Sequence, residues 1–176
     1  MHILRHLLAI LLLPFVMAVV VPRWIVVSLA ATDTRWAGGT AAWLGRGLGA
    51  VQLVAGFCLF AWCVALFARV GRGTLAPWDP TQRLVAVGPY RYMRNPMITG
   101  VLAMIAGQAL VLGSRLIGEW CVAFFAINQL YFMILEEPGL ERRFGESYRR
   151  YRAAVPRWLP RATPWSGDDA AAAGQP

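Results

Sequence analysis

Residues 97–135 read MITGVLAMIAGQALVLGSRLIGEWCVAFFAINQLYFMIL, two apolar runs divided by Gly113-Ser114 and Arg115. A break this short leaves room only for a tight turn, so the two runs, residues 97–112 and 116–135, form an antiparallel helical hairpin. At about 1.5 Å per residue its arms reach roughly 24 and 30 Å, close to what a bilayer crossing needs. The far ends of the hairpin therefore share one face. Arg94-Asn95-Pro96 opens its first arm and Glu136-Glu137 closes its second.

Working outward, two further apolar spans precede the hairpin, at about residues 7–31 and 44–68. The first is interrupted by Pro14 and by Pro22-Arg23. It resembles a signal peptide at its start, but apolar residues resume after Arg23, so it is read as a retained span. The whole-chain numbers agree with a lipid-solvated protein. Of 176 residues 58% are hydrophobic and 15% charged, against about 25% charged in soluble domains. Disorder is excluded by the same balance, and a disulfide framework by a count of three cysteines. Cys58, Cys63 and Cys121 lie in apolar runs and read as small hydrophobes. The expected fold is an all-α integral membrane protein with about four transmembrane helices, a tight third-fourth hairpin and a C-terminal amphipathic helix on the cytoplasmic side. Residues 1–165 form its single domain, and residues 166–176 read as a disordered tail.

A net charge of +8 raises nucleic acid as a partner, but the 17 basic residues are all arginines set between apolar spans. Thirteen of them lie in Arg5, the connector from Arg69 to Arg94 and the tail from Arg142 to Arg161. The positive-inside rule then puts both termini and that connector in the cytoplasm, as for a multi-pass protein of a bacterial inner membrane. Trp36, Trp43, Trp78 and Trp120 fall near span ends, where aromatic belts form. His2 and His6 read as terminal polar residues. No metal-ligand spacing, phosphate-binding glycine loop or internal repeat occurs.

The chemistry converges on the cytoplasmic edge. Asn95 before Pro96 reads as an N-cap and first-turn pair, with the asparagine oxygen accepting an orphan amide. Such a helix start suits a carboxylate or phosphate. Glu136 and Glu137 are adjacent like charges at a membrane edge and call for a cation. A zwitterionic or cationic small molecule satisfies both halves. The competing reading is structural, with Arg94 bridging to one of the glutamates and Asn95 serving only as a cap.

The longer pattern Gly88-Pro89-Tyr90-Arg91-Tyr92-Met93-Arg94-Asn95-Pro96-Met97-Ile98-Thr99-Gly100 resembles the signature of the isoprenylcysteine carboxyl methyltransferase and phospholipid methyltransferase superfamily. Glu136-Glu137-Pro138-Gly139-Leu140, Phe144-Gly145, Tyr148, Tyr151 and Val155-Pro156-Arg157 resemble its C-terminal signature. The resemblance spans residues 82–160. It implies a membrane enzyme that binds S-adenosylmethionine (SAM) on the cytoplasmic side and methylates a lipidic or small hydrophobic acceptor reaching in from the bilayer. The implied cofactor contacts are Arg83, Leu84, Val85, Tyr90, Asn95, Pro96, Met97, Ile98 and Glu136. The family's usual histidine is here Asn95 and its usual tyrosine is Ile98, a loss that Tyr92 or Tyr131 would offset. Phe132 stands where the eukaryotic prenylcysteine enzymes carry a carboxylate-binding arginine, so a prenylcysteine carboxylate does not follow as substrate.

Methyl transfer from a sulfonium needs alignment and exclusion of water more than a nucleophilic side chain, and orientation supplies on the order of 7 to 11 kcal/mol. An amine or thiol acceptor would need a base, for which Glu137 is the nearest group. Arg94 either orients an anionic acceptor group or locks the glutamates. Leu140, Phe144, Tyr148, Tyr151 and Val155 recur at helical spacing and place residues 138–155 on one amphipathic helix, a surface anchor or a lid. Its remaining faces carry Arg142, Arg143, Arg149, Arg150 and Arg152, suited to anionic head groups. Two other classes are weighed. NADPH-dependent membrane sterol and enone reductases resemble the same arginine-proline region, and a non-enzymatic small membrane protein would be expected to hold mid-span charges, for which only Arg23 qualifies.

Overall fold

The computed structural model describes residues 14–70, 84 and 86–167. All regular structure among them is helical. In chain order these are α1 (Val16–Ser28), α2 (Gly39–Val70), a 3-10 turn (Gly88–Arg91), α3 (Pro96–Leu112), α4 (Arg115–Tyr131), a π-helical turn (Phe132–Glu136), α5 (Glu137–Phe144) and α6 (Glu146–Ala154). Among the described residues there is no strand.

Two helices are long and apolar enough to cross a membrane: Gly39–Leu66, mean hydropathy 2.0, and the continuous helix Arg115–Phe144, mean hydropathy 1.4. Only 17% of the most apolar stretch of either is buried inside the protein. The core helix of a soluble protein would hide such a stretch, whereas here Trp43, Leu48, Val51, Phe57, Val122 and Ile134 are more than half exposed. Lipid is the solvent these side chains fit. α1 and α3 are shorter apolar helices.

What holds α2 against α3 is the absence of side chains. A Cβ on Gly49 would lie 2.7 Å from the Gly107 carbonyl oxygen, and one on Gly107 2.8 Å from that of Gly49. Gly56 and Gly100 repeat the arrangement at 2.7 and 2.8 Å. Each pair is spaced by seven residues, running in opposite directions along the two helices, so the crossing is antiparallel and one seam stays in contact over two turns. Ala42 and Cys63, one heptad beyond the glycines on either side, are also buried.

The α3–α4 turn is clasped by the loop after α1. Gly113 ends α3 in the left-handed conformation, φ 67° and ψ 28°, where a side chain would strain the backbone. Ser114 caps α4 by accepting from the Ile117 N–H at 3.1 Å. Asp33 accepts from the Ser114 hydroxyl at 2.5 Å and the Leu116 N–H at 3.0 Å, and pairs with Arg35. Burial opposes ionisation of Asp33, but these donors outweigh it and hold its carboxyl below the usual range. The Trp36 indole donates to the Leu110 carbonyl at 2.6 Å, and the Thr34 hydroxyl to that of Gly113 at 3.1 Å.

α1 opens with a π-helical turn, Val16–Val20, in which the Val21 N–H bonds to the Val16 carbonyl. The cause is Pro22, which offers no N–H to the carbonyls of Ala18 and Met17, its partners at i−4 and i−5. Both are served from outside the helix. The Gln108 amide of α3 donates to Ala18 at 2.7 Å, and the Trp120 indole of α4 to Met17 at 3.0 Å. Two donors that an apolar surround would leave unpaired thus dock α1 on the other helices.

Several expectations change. The described part of the first span is helical from Pro14 to Ser28, and residues 7–13 lie outside the described residues, as do His2, His6, Trp78 and the tail from 168 onward. α2 starts at Gly39, five residues before the expected span. The helix that holds the last span does not stop at Leu135 but continues to Phe144. The single C-terminal helix is two, because Gly145 at φ 54° and ψ −126° adopts a backbone that α-helix does not allow. Trp36 and Trp120 spend their N–H groups within the protein, while Trp43 is 70% exposed.

Candidate functional site

The site is built where the start of α3 meets the end of α4. Pro138 does to α4 what Pro22 does to α1. It denies an N–H to Ile134 and Met133, and the turn before it widens so that the Glu137 N–H bonds to the Phe132 carbonyl. The widened turn sets Glu136 and Glu137 in different environments. Glu137 is 6% exposed, and its Oε1 accepts from Arg94 Nη1 and from Arg157 Nε, both at 2.7 Å. The Tyr148 hydroxyl lies 3.4 Å from the same Arg94 nitrogen. Glu136 is half-buried, and among the described residues no hydrogen bond or ion pair reaches it. One carboxylate is therefore committed to two guanidinium groups, and its neighbour to none among the described residues.

Residues 156–165 form a strap that lies along residues 91–95. The Arg94 and Asn95 N–H groups donate to the Pro156 and Arg157 carbonyls at 2.9 and 3.3 Å, and the Arg161 and Trp165 N–H groups to those of Tyr92 and Arg91 at 3.0 and 2.9 Å. Asn95 occupies the N-cap position of α3 with Pro96 in the first turn. Its side chain makes no capping bond, contrary to the sequence reading. Its backbone is engaged instead, since the carbonyl accepts from the Thr99 N–H at 3.0 Å and the Thr99 hydroxyl at 2.9 Å. The strap has drawn the Asn95 backbone into φ −122° and ψ 52°, away from the usual extended cap geometry. First-turn N–H groups of α3 have no intrahelical acceptor, and Met97 and Ile98 supply them here.

Tyr90 is buried at 8% exposure in the 3-10 turn, its hydroxyl beside the Cys63 thiol of α2. Burial first, then that thiol, hold the hydroxyl well above the usual tyrosine range, and the nearby Glu136 charge acts in the same direction. Tyr90 is thus a neutral hydrogen-bonding group throughout the physiological range. The Tyr151 hydroxyl donates to the Tyr90 carbonyl at 2.7 Å, and Tyr148, Tyr151 and Val155 pack with Leu84, Leu140 and Phe144. The apolar face expected of the C-terminal region is therefore turned inward and carries the 84–91 stretch.

Of the candidate residues, the structure brings Arg94 and Glu137 into direct contact, so the bridge weighed from the sequence is formed with Glu137. Tyr90, Pro96 and Met97 are buried nearby, and Asn95, Ile98 and Leu84 are half-buried. Val85 and Arg83 lie outside the described residues. Tyr92 and Tyr131 are at least partly exposed, at 36% and 40%. Arg157, Tyr148, Trp158 and Gln129 are part of the constellation without having been singled out as site residues; Val155-Pro156-Arg157 was the available signal for the first. Arg149 and Arg152 are tied to Glu146 and Glu141 at 2.9 and 3.1 Å, while Arg142 and Arg143 are exposed. Among the described residues no cluster of histidine, cysteine or carboxylate side chains is arranged to hold a metal.

A model of the phospholipid methyltransferase family matches residues 48–147, which takes in α2 from Leu48 onward, α3, α4, the glutamate pair and α5. An uncharacterized protein of Haemophilus influenzae is 33% identical over 63 residues, 36% of this chain and the whole of that one. No solved structure matches.

Proposed function

Since the chain belongs to the phospholipid methyltransferase family, a family of membrane methyltransferases, we propose that it transfers a methyl group from SAM to a lipidic or small hydrophobic acceptor. The observation that carries this reading is the unequal pair: Glu137 neutralised by Arg94 and Arg157, and Glu136 beside it with no partner among the described residues. A half-buried carboxylate next to a second one is costly until a cation answers it.

The residues present fit the cofactor. The start of α3, at Asn95 to Ile98, suits the methionine carboxylate. Glu136 suits its ammonium or a ribose hydroxyl, and Tyr90 and Leu84 complete the cradle, with Val85 belonging to the same stretch. When bound, SAM would supply an electrophilic methyl group, taken by an acceptor lone pair in line as the methyl–sulfur bond breaks and the neutral thioether leaves. The protein's part is orientation, because a fixed near-attack geometry is worth on the order of 7 to 11 kcal/mol. Arg94 and Glu137 fix the two helix ends relative to each other. With its Oε1 shared by two guanidinium groups, Glu137 is better suited to positioning than to taking a proton, so an acceptor that arrives already deprotonated is favoured. We place four helices across the membrane, with the site, both termini and the strap on the cytoplasmic side, in keeping with thirteen arginines on that side.

Equilibrium binding of radiolabelled SAM to the detergent-purified protein tests the reading, with NADPH run in parallel. Saturable SAM binding, lost in Glu136→Gln and weakened in Tyr90→Ala but kept in Arg142→Ala, is the expected result. Equal loss in all three variants would remove the proposed pocket, and saturable NADPH binding in place of SAM would move the protein to the reductases.

A further inference from the structure

The strap is bonded to residues 91–95 by backbone hydrogen bonds and by the Arg91 Nε–H, which donates to the Trp165 carbonyl at 2.6 Å, yet the site also needs it fixed to α4, because Arg157 reaches across to Glu137. Besides that ion pair, Trp158 makes the connection. Its indole N–H donates to the Gln129 side-chain oxygen at 2.7 Å, and its ring packs against Phe125 and Phe132 with centroids 5.0 and 5.7 Å away. Positions 125, 129 and 132 lie on one face of α4 at successive turns. Trp158 and Gln129 are both half-buried, and a sheltered indole needs an acceptor as an amide oxygen on a lipid-facing helix needs a donor, so the two satisfy each other.

We propose that Trp158 is a positioning residue for the cofactor site: through Gln129, Phe125 and Phe132 it latches the strap on α4, and so holds Arg157 on Glu137 and the backbone of Arg94 and Asn95 at the start of α3. None of its described hydrogen bonds or ring contacts is to a proposed cofactor contact. Its influence is exerted through neighbours in both directions along the chain. Arg157 precedes it, ion-paired to Glu137, and Arg161, three residues on, donates to the Tyr92 carbonyl. This inference rests on the methyltransferase reading for its consequence in SAM binding, but the latch itself is defined without SAM.

Two readouts separate them. Trypsin cleavage after Arg157 and Arg161, followed by mass spectrometry in detergent without SAM, reports whether the strap is held. Trp158→Phe keeps the ring and removes only the N–H; Trp158→Ala removes both. Cleavage at those two sites is expected to rise in the order wild type, Trp158→Phe, Trp158→Ala, while the helical CD spectrum is unchanged. Loss of one hydrogen bond should raise the SAM dissociation constant about fivefold in Trp158→Phe, and Gln129→Leu should do the same without adding to it in the double variant. Trp43→Phe, at an exposed indole, should change neither readout. Unchanged strap cleavage in Trp158→Ala would overturn the latch, as would a SAM affinity equal to wild type in a variant whose strap is released. If the wild-type protein binds no SAM while strap cleavage follows the expected order, the latch stands and the methyltransferase reading fails.

Discussion

The same local event occurs twice in this protein and is put to opposite uses. At Val16–Val20 and at Phe132–Glu136 a helix widens into a π turn, and in both places a proline stands two residues beyond the turn, Pro22 and Pro138. At the first, the carbonyls that the proline cannot serve are taken by Gln108 and Trp120, and the turn becomes an anchor. At the second, no side chain among the described residues donates to the carbonyl of Met133 or Ile134, residues 51% and 65% exposed, and two glutamates follow after Leu135. A proline in an apolar helix is thus neutral in itself; what fills its missing hydrogen bonds decides whether the turn serves structure or a ligand.

The largest expected effect is at the second turn. Glu137→Gln leaves Arg94 and Arg157 facing a neutral amide in a site only 12% and 19% exposed at their side chains, and should cost roughly 3 to 5 kcal/mol, read as a fall in Tm in detergent. A fall no larger than that of Arg142→Ala would show that the ion pairs are solvated. At the first turn the expected loss is smaller. Gln108→Leu or Trp120→Phe orphans one carbonyl and should cost about 1 to 2 kcal/mol each by the same measurement, with SAM binding unaffected in the remaining folded protein. The smallest effect, and the most discriminating, comes from restoring the missing N–H. Pro22→Ala should change neither stability by more than about 1 kcal/mol nor SAM affinity, since its carbonyls already have donors. Pro138→Ala should let the turn relax toward regular helix, move Glu136 and weaken SAM severalfold at nearly constant Tm. Identical behaviour of the two alanine variants would erase the distinction between the turns.

How much of this was open to sequence reasoning differs along the chain. The short break at Gly113-Ser114 and the apolar runs around it sufficed for helical character, because a turn that short and a run that apolar admit few alternatives. Arg94 and the glutamates were legible as a convergence, but which glutamate takes the arginine was not, since adjacent residues differ by a rotation that the π turn alters. The signal for that turn, a proline inside an apolar run, was visible at 22 and 138. Gly145 likewise marked the split between α5 and α6. The heptad of small residues Ala42, Gly49, Gly56 and Cys63, matched by Gly100, Gly107 and Ser114, was present and unread, hidden by the uniform hydropathy of the runs around it. The strap could not be foreseen. Its bonds to residues 91–95 are mostly backbone bonds between residues more than sixty positions apart, and backbone groups carry no sequence signature.

The glycine contacts between α2 and α3 have one more consequence, for traffic. With Gly49 against Gly107 and Gly56 against Gly100, the seam is closed to the width of a peptide backbone, and a slide of either helix by a full heptad would leave one glycine of each pair opposite a larger side chain. No acyl chain threads that seam and no piston motion opens it. Under the proposed methyl transfer, an acceptor from the lipid reaches the site by a route other than this seam.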